Sequence, residues 1–501
     1  MAAKEYGDFQ TPKELSDAIC HLVQGRSISP KSLLEPTCGT GGFVHSALEV
    51  FEGLEKVVAS DINQEHIKVF ESEIEGVETS VDMSVSVRDF FNVDWKEEIN
   101  ALPRPVLVIG NPPWVTNADI GKIRGENLPE KTNFQKHKGF DALTGKSNFD
   151  ISEWIIIRLL EALEDSDSAL AMLCKRASAR RVLQHYWRED KTFEFSINHI
   201  DSSEHFGVST EACLFFAKPS TVSEKVCRVY TEIGSNEIDE NIGYKGGELV
   251  SDIDKHLKYE NFTSEGHSVY RWRSGIKHDC TRVMQLTKTE DGKYKSRVGG
   301  ERNLEDEYIY PLLKSSDIAN GSSDNRYYVI VPNESTNSDV SELEEKAPEL
   351  WDYLNDYAED LDGRGSSIYN GLPRFAVFGV GDYSFSPWKV AVSGLYDNAN
   401  FTVVPPSDGK PVMVDDTCYF LQCQTEKEAE LLADIFNSDF TQKVLDSIVF
   451  WDDQRPIKIS VLKKIDILKV ADHLGVREEL VKAASENSAV REELDTQMSL
   501  M

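Results

Sequence analysis

The residues most suited to chemistry are the tetrad Asn-Pro-Pro-Trp at positions 111–114, which follows an apolar run at residues 106–109 and one glycine. The run predicts a strand buried on both faces, and ligands of open parallel sheets bind beyond the carboxyl ends of the strands. The prolines fix two successive φ angles and carry no N–H group, so the side-chain oxygen of Asn111 and the carbonyl oxygen of Pro112 can face outward as acceptors. Two such acceptors beside Trp114 suit an amino group on a planar ring that stacks on the indole. The simpler interpretation is a proline-rich turn after a strand.

A glycine loop lies nearer the N-terminus, where residues 35–43 read Glu-Pro-Thr-Cys-Gly-Thr-Gly-Gly-Phe. A short strand at residues 32–34 precedes the loop, and apolar residues with helical spacing follow it at 44–48. Glycines in a strand, loop and helix unit let a ligand approach the main chain closely, and Glu35 at the strand end can accept hydrogen bonds from a cation or a hydroxyl. The spacing differs from the dinucleotide fingerprint. We therefore expect a ligand of another kind at this loop.

Two further strands end in acids. Residues 57–62 predict a second strand with Asp61 at its end, and residues 84–88 predict a third that is followed by Asp89 and Phe90. Asp61 lies where a carboxylate can take both hydroxyls of a ribose. Asp89 can accept from the amino group of an adenine whose ring lies against Phe90. For Asp61, an ordinary surface acid at a turn is the alternative.

The first helix opens at Thr11. Thr11 as N-cap, Pro12 at the first helical position and Glu14 three residues after the cap predict a capping box. The Thr11 hydroxyl and the N–H groups of this helix start can also bind a carboxylate. Both interpretations, a helix start alone and a ligand contact, stand at this point.

Composition limits the classes of function. The chain has 501 residues, enough for two or three domains, with 54 Lys and Arg against 86 Asp and Glu and a formal net charge of −32. This charge repels polyanions, so a nucleic-acid site must be local. Eight Cys without a C-x-x-C pair or a Cys/His cluster predict buried thiols in a reducing compartment and no metal site. The absence of an apolar signal core and of a long apolar segment predicts a cytoplasmic protein with no membrane contact.

Three stretches concentrate cations in this acidic chain. The first is an acid-free window after a strand predicted at 169–174, the second spans residues 268–302 with nine Lys and Arg against four acids, and the third runs over 364–389 with several glycines. Aromatic residues are interleaved in the second. These stretches predict contacts to nucleic-acid phosphates, against the alternatives of a solvated helix face, an ordinary basic surface and a β core. The candidates are Lys175, Arg176, Arg180, Arg181, Arg271, Arg273, Lys277, Arg364 and Lys389.

The order of these motifs resembles that of a known family. Phe-Gln-Thr-Pro at 9–12, the glycine loop, Asp61, Asp89 with Phe90, the tetrad and then a loop with Phe206 resemble the gamma-class DNA adenine-N6 methyltransferases of restriction-modification systems, in particular the TaqI-like type II enzymes. The resemblance covers roughly residues 5–220 and is looser beyond. It implies an α/β class I S-adenosylmethionine-dependent methyltransferase fold, Rossmann-like with a seven-stranded, mostly parallel sheet, and a C-terminal α+β target-recognition domain.

The resemblance also implies roles for single residues. The cofactor S-adenosylmethionine would be bound by Thr11, Glu35, Thr37, Gly39, Gly41, Asp61, Ile62, Asp89, Phe90 and Asn111. The catalytic residues would be Asn111, Pro112, Pro113 and Trp114. Trp114 and Phe206 would form the two walls that stack the target base. The family usually has Tyr or Phe where this chain has Trp114, so we expect a wider pocket, and base choice stays open.

The chemistry follows from the amino group. Its lone pair is delocalised into the ring, which makes it a poor nucleophile. Acceptors at Asn111 and Pro112 favour a pyramidal nitrogen and stabilise the positive charge that develops on it. Because the amino group of an adenine is buried in duplex DNA, the base must first be flipped out at a cost of a few kcal/mol.

Strict alternation of strands and helices stops near residue 220. We therefore expect a catalytic domain at 1–220, a DNA target-recognition domain at 221–470 and an acidic helical tail at 471–501. A long polar stretch at 116–147 predicts a functional loop. The expected partners are double-stranded DNA and either a cognate restriction endonuclease or a defence-system subunit. Two alternatives remain, an RNA or protein-glutamine methyltransferase and a DNA-binding subunit that is active only with a partner, while a fused nuclease is disfavoured.

Overall fold

The computed structural model of the protein describes residues 9–115, 150–164, 166–222, 224–264, 269–324, 326–488 and 490–491. The chain forms two compact units, Met1–Ile253 and Asp254–Met501. The functional loop predicted at 116–147 lies outside the described residues. Within the described part of the chain, no helix is long and apolar enough to cross a membrane. All eight Cys are buried thiols, as their sequence context predicted.

The first unit is built on a ten-stranded sheet in the order β10-β9-β8-β6-β7-β5-β4-β1-β2-β3. The strands predicted at 32–34, 57–62, 84–88, 106–109 and 169–174 are confirmed as β1–β5, and β6 and β7 complete the seven strands that the resemblance implies. β1 pairs in parallel with both β2 and β4. β7 runs antiparallel to β5 and β6. The strands are Ser32–Glu35, Lys56–Asp61, Asp82–Val87, Val106–Gly110, Ala169–Lys175, Phe193–Ile200, Ala212–Pro219, Val226–Tyr230, Ile238–Lys245 and Glu248–Val250 for β1 to β10.

Among the described residues, seven helices accompany this sheet. Every residue of β1 and β4 is buried, as expected for parallel strands covered on both faces. Ile19 of the first helix and Val44 of the second belong to the same core cluster as Leu33 and Leu107 of these strands. This packing holds the strand ends that carry Glu35 and Asn111 in fixed positions. The helices α1 to α7 are Lys13–Gly25, Gly42–Val50, Gln64–Ile74, Trp95–Asn100, Ile151–Leu163, Arg176–Arg188 and Ser202–Phe206.

The start of α1 differs from the prediction. The helix begins at Lys13 with Pro12 as the cap residue, and no described side chain caps it. The main-chain N–H groups of Leu15 and Ser16 instead donate to the carbonyl oxygen of Pro12. The predicted capping box between Thr11 and Glu14 is therefore wrong, because the helix starts one residue later than the Thr-Pro signal indicates. Thr11 lies outside the helix.

The domain boundary predicted at residue 220 falls inside the first unit. β8 pairs in parallel with β6, and β9 and β10 extend the sheet by antiparallel pairing as far as Val250. The two compact units divide between Ile253 and Asp254. The alternation of strands and helices does end near 220, but the sheet continues without intervening helices. A change in connection type was therefore mistaken for the end of the domain.

The described part of the second unit contains two sheets, in agreement with the α+β prediction. A four-stranded sheet has the order β11-β20-β17-β18, and a six-stranded sheet has the order β14-β13-β12-β16-β15-β19. The strands β11 to β20 are Arg273–Ser274, Gln285–Lys288, Tyr294–Ser296, Glu301–Arg302, Ile309–Leu313, Tyr327–Ile330, Trp388–Ser393, Phe401–Val404, Met413–Val414 and Cys418–Cys423.

The helices of the second unit include the predicted tail. Leu480 is buried, and Asn487 donates to Glu428 over 2.9 Å and to the carbonyl oxygen of Gln422 over 3.1 Å. The described part of the tail, up to residue 491, therefore packs on the second unit. The helices α8 to α18 are Ile253–Tyr259, Thr281–Met284, Ser315–Ala319, Leu343–Lys346, Pro348–Asp356, Ala358–Asp362, Glu426–Asn437, Asp439–Asp446, Ile459–Leu462, Ile467–His473 and Arg477–Ala483.

Candidate active site

A cavity of about 350 Å³ opens at the carboxyl ends of the parallel strands of the first unit. Nine of the ten residues predicted to bind the cofactor line it, and the exception is Gly41. The position agrees with the rule that ligands of open α/β sheets bind beyond the strand ends. The predicted residues in the lining are Thr11, Glu35, Thr37, Gly39, Asp61, Ile62, Asp89, Phe90 and Asn111.

The glycine loop is tied to the acid at the end of β2. Oδ2 of Asp61 accepts a hydrogen bond of 2.9 Å from the N–H of Gly39, and Oδ1 accepts one of 2.8 Å from the N–H of Asn63. Each carboxylate oxygen has a second lone pair, so Asp61 can still accept from a ligand. Gly39 has a φ of +53°, a left-handed conformation that glycine adopts without strain. Asp61 thus fixes the loop and also faces the cavity.

Glu35 places a carboxyl group inside the cavity wall. Its side chain is 2% exposed, and no described residue bonds its Oε2 atom. Burial, and then the charge of Asp61, raise the pKa of Glu35 well above its ordinary value, while a hydrogen bond from the main chain of Val44 lowers it. A buried, unbonded carboxyl oxygen beside a cavity is costly unless a ligand completes it. This atom therefore favours a ligand that carries a positive charge or a donor.

The third predicted acid is bonded within its own turn. Oδ1 of Asp89 accepts from the N–H of Phe91 over 3.0 Å, and Oδ2 accepts from the side chain of Asn92 over 3.3 Å. Phe90 is buried, with its ring centroid 4.9 Å from that of Trp95. The short turn thus holds one acid and one ring at the cavity wall. The structure places Asp89 and Phe90 together at the cavity wall, and their contact with an adenine stays a prediction.

Asn111 has a single defined orientation. Its Nδ2 atom donates a hydrogen bond of 2.9 Å to the carbonyl oxygen of Phe9. Its Oδ1 atom is buried and has no partner among the described residues. Pro113 lines the cavity with Asn111, while Pro112 is buried. The acceptor that the sequence predicted at the end of β4 is therefore present, and no donor among the described residues bonds it.

The aromatic residues predicted to stack the base lie together. The ring centroids of Trp114 and Phe206 are 5.2 Å apart in an edge arrangement. Phe9 completes a trio, at 5.7 Å from Trp114 and 5.9 Å from Phe206. Trp114 is only 5% exposed. The structure thus brings both predicted walls together, but the rings contact each other and leave no space for a base between them.

The cations predicted beside the first unit's site are occupied by acids of the protein. Lys175 lies 2.8 Å from a carboxylate oxygen of Asp150, and Arg181 bonds Glu153. Arg176 pairs with Glu211 and Glu240, and it is 12% exposed at its side chain. Arg180 is 6% exposed, which contradicts its prediction as a phosphate contact, because a buried guanidinium group cannot reach the phosphates of DNA. Arg180 belongs to the buried face of α6, while Arg176 and Arg181 are half-buried and held by acids.

The candidates in the second unit divide into exposed and internal groups. Lys389 is 1% exposed and donates to the carbonyl oxygen of Ser386 over 2.8 Å, which contradicts its prediction as a DNA contact. Arg364 donates to three main-chain carbonyls and lies over the ring of Tyr369. Lys277 pairs with Asp279 and Asp416, while Arg273 lies 4.3 Å from the Tyr383 ring centroid. Arg271 is exposed.

Several lining residues were missed by the sequence argument. Phe9, His66, Phe91, Ile151 and Ile155 all line the cavity. Ile151 and Ile155 are one turn apart on α5, and this spacing is equally typical of a buried core. His66 lies on α3, where its Nδ1 atom is 3.8 Å from Asp61. Among these residues, only Phe9 had a signal in the sequence that could have placed it at the cavity, because it lies two positions before Thr11.

The fold and the site define a class of protein. A mostly parallel sheet of this order, with a glycine loop after β1, acids after β2 and β3, and a polar-Pro-Pro-aromatic tetrad after β4, is that of a class I S-adenosylmethionine-dependent methyltransferase. The restriction-modification enzyme MmeI of type IIL, solved with DNA, has the same overall fold at a TM-score of 0.52. It is 11% identical, and the match covers 97% of this chain and 73% of that one.

Sequence similarity then gives the family. Residues 1–174 match the N-6 DNA methylase family. The type II methyltransferase M.NspV of Nostoc sp. is 38% identical over 467 residues, which cover 92% of this chain and 96% of that protein. M.CvrRI, a type II methyltransferase of Paramecium bursaria Chlorella virus XZ-6E, is 27% identical over 119 residues. These residues cover 23% of this chain and 27% of the length of that protein. The chain belongs to the N-6 DNA methylases, as a type II DNA methyltransferase.

Proposed function

We propose that the protein transfers a methyl group from S-adenosylmethionine to the N6 amino group of an adenine flipped out of duplex DNA. The observation that carries this proposal is the buried Oδ1 atom of Asn111, which no described residue bonds, at the wall of a cavity with three acids. The family to which the chain belongs supports it. As a type II enzyme, it would protect the sites of a cognate restriction endonuclease.

The cavity suits the cofactor in size and in chemistry. Its volume of about 350 Å³ is within the range of small-molecule sites. S-adenosylmethionine supplies a methyl group on a positively charged sulfur. The unbonded oxygen of Glu35 favours a cationic or donor group, the remaining lone pairs of Asp61 suit ribose hydroxyls, and Asp89 with Phe90 suits an adenine. These acceptors and the ring of Phe90 match the donor groups and the base of one molecule, from its methionine end to its adenine.

The target amino group would be held by two acceptors. Oδ1 of Asn111 and the carbonyl oxygen of Pro112 each accept one N–H, which favours a pyramidal nitrogen and stabilises its developing positive charge. The bond from the methyl carbon to sulfur breaks as the bond to nitrogen forms, which leaves S-adenosylhomocysteine. The proton that the methylated nitrogen then loses passes to solvent, so neither residue needs to accept it. Since both acceptors follow a fully buried strand, their separation changes little between the free and the bound protein. Such prior positioning accounts for a large part of the acceleration in group transfer.

Binding of the base would require the aromatic trio to open. The contact between Trp114 and Phe206 fills the place between the two predicted walls. A flipped base can replace the edge of Phe206 against the indole, so one stacking interaction is exchanged for another. We therefore assign Trp114 to the first wall and Phe206 to a second wall that moves.

Target recognition would lie in the second unit. The similarity to M.NspV covers 92% of this chain and therefore includes that unit, as expected for a shared DNA substrate. The similarity to a type II methyltransferase over both units favours DNA over an RNA or protein-glutamine substrate. The exposed cations of the predicted window would contact phosphates, while neighbouring side chains would reach base edges.

Transfer of labelled methyl to DNA tests the proposal. Unmethylated genomic DNA, RNA and a protein extract are each incubated with the enzyme and labelled S-adenosylmethionine, and the methylated product is identified. We expect N6-methyladenine in DNA alone and a loss of about 10²- to 10³-fold in kcat for Asn111→Ala. The matched control is Asn100→Ala, at the end of α4, which we expect to keep wild-type activity. Label in RNA or protein, or an active Asn111→Ala variant, would contradict the proposal.

A further inference from the structure

The segment of Phe9, Gln10 and Thr11 contacts both halves of the active site. Oε1 of Gln10 accepts hydrogen bonds of 3.1 Å from the N–H and from the hydroxyl of Thr40 in the glycine loop. The carbonyl oxygen of Phe9 accepts the 2.9 Å hydrogen bond from Asn111. Two successive residues therefore join the cofactor loop to the amide that faces the substrate.

The bond from Asn111 to Phe9 selects one of two amide orientations. A carboxamide has a donor end and an acceptor end of nearly equal shape, and it can turn over. A main-chain carbonyl oxygen only accepts, so it tolerates Nδ2 and repels Oδ1. Oδ1 is thereby kept on the other side, where no described residue bonds it. The reversed amide would face the substrate amino group with N–H groups, and two donors repel each other.

The ring of Phe9 fixes the position of that carbonyl. The ring lies 5.7 Å from Trp114 and 5.9 Å from Phe206, measured between centroids, and packs against the core cluster of the first unit. Without the ring, the segment before α1 loses its apolar anchor beside the tetrad. The side chain of Phe9 thus acts on Asn111 through its own main chain.

We propose that Phe9 is a positioning residue for methyl transfer, whose carbonyl oxygen holds the Asn111 amide with Oδ1 towards the substrate amino group. The inference rests on the proposed function, because it assumes that an amino group is the acceptor of the methyl group. The inference predicts that kcat and the affinity for the cofactor respond differently. Loss of the orientation lowers kcat, because the charge that develops in the transition state loses its acceptor, while cofactor binding changes little.

The first test compares Phe9→Ala with Phe9→Leu. A hydrogen bond of this kind is worth about three- to tenfold in an equilibrium, so we expect kcat to fall by about that factor in Phe9→Ala. The Kd for S-adenosylmethionine should change less than twofold. Phe9→Leu keeps an apolar anchor and should restore most of the rate. An equal loss in both variants, or an unchanged kcat in Phe9→Ala, would overturn the inference.

The second test is a double-mutant cycle with Asn111→Asp. An aspartate side chain has no N–H group to donate to the carbonyl oxygen of Phe9, so the hydrogen bond that orients the amide is absent in this background. We expect Phe9→Ala to reduce kcat less than twofold in the Asn111→Asp background, and therefore to couple with position 111. If Phe9→Ala causes the same relative loss in both backgrounds, Phe9 acts through packing alone and the inference is wrong.

A readout without activity completes the test. Hydrogen exchange of the Asn111 side-chain amide can be followed by NMR in protein with labelled asparagine, where the signal is identified by its absence in Asn111→Asp. We expect faster exchange in Phe9→Ala than in wild type and Phe9→Leu, and equal exchange would contradict the inference. Failure of the proposed function has a different signature, since wild-type enzyme would then form no N6-methyladenine although the Asn111 amide stays protected.

Discussion

Glu35 and Asp61 end neighbouring parallel strands, and the charge of Asp61 opposes the ionisation of Glu35. Burial is the larger cause and Asp61 the second cause of the raised pKa of Glu35. With 2% exposure and an unbonded Oε2 atom, the carboxyl group holds its proton to higher pH when no ligand is present. A cation bound beside it favours the ionised form. Cofactor binding is therefore expected to release a proton.

We predict that Glu35→Gln stabilises the ligand-free protein at neutral pH. In the unfolded chain the group titrates near its ordinary value of 4.5, and in the folded protein it titrates higher. The folded protein binds more protons above pH 4.5, so its stability falls as pH rises through this window. Glutamine does not ionise, so the stability of the variant does not fall in this way as pH rises. The Tm difference should be near zero below about pH 4 and should grow in favour of the variant above it.

Thermal unfolding between pH 4 and pH 8 without cofactor measures this effect. Glu71→Gln, at an exposed position of α3, is the control and should give no such pH-dependent gain. Cofactor affinity should fall in Glu35→Gln. A Tm difference that is the same at every pH would show that the carboxyl group is not the cause.

We predict that Gly41→Ala destabilises the fold, although Gly41 does not line the cavity. Gly41 has a φ of +87°, and an added Cβ atom would lie 2.2 Å from Cδ2 of Phe70, whose ring is fully buried. Both the conformation and the clash oppose the substitution, and we expect a loss of about 2 kcal/mol or more in the free energy of unfolding. Gly53→Ala, with no atom within 4 Å of the added Cβ, is the control. Chemical denaturation of both variants measures the free energy of unfolding, and equal values would contradict the prediction.

The sequence was informative where a physical constraint acts on neighbouring residues. Parallel strands buried on both faces need continuous apolar runs, and ligand groups follow the strand ends, so β1, β2, β4 and β5 were predictable, as were Glu35 and Asp61. β9 is partly exposed and pairs in antiparallel with β8 and β10, and it carries no such run. The extension beyond residue 220 was therefore missed.

Contacts between distant residues were not predictable. The partner of Asn111 is Phe9, 102 positions away, and nothing in either local sequence indicates this bond. The count of cations after β5 likewise gave no sign that Arg181 bonds Glu153, 28 positions earlier. A stretch that lacks acids in sequence can be neutralised by acids that the fold brings to it. Charge runs therefore predict an interface only after their internal partners are known.

We predict that Lys389→Met stabilises the protein at and below neutral pH. Burial lowers the pKa of Lys389 from 10.5 to about 7, and the nearby Cys423 opposes part of this shift. Between these values the unfolded chain binds more protons than the folded protein, so wild-type stability rises from about pH 7 towards pH 10.5. Methionine fills a similar volume without a charge. The Tm gain should be largest at pH 6 to 7 and should decline at alkaline pH, and a gain that rises with pH would contradict this assignment.

The exposed cations of the second unit should set the salt dependence of DNA binding. Arg271, Lys295 and Arg297 are exposed, and no described carboxylate forms an ion pair with them. Lys293 in the same window is paired with Asp291 over 2.8 Å. Cations without such a carboxylate are available to phosphates, whereas a paired lysine must first leave its acid.

We predict that the triple variant Arg271→Gln, Lys295→Gln, Arg297→Gln binds duplex DNA more weakly and with a smaller salt slope. Removal of one phosphate-binding cation should lower the slope of log K against log salt concentration by about 0.9, because fewer counterions are released. Lys293→Gln is the matched control and should change the slope much less. Binding is measured by fluorescence anisotropy between 50 mM and 200 mM salt, with cofactor binding to the first unit as a check on folding. If the triple variant keeps the wild-type slope, this window does not bind the phosphates and the interface lies elsewhere on the protein.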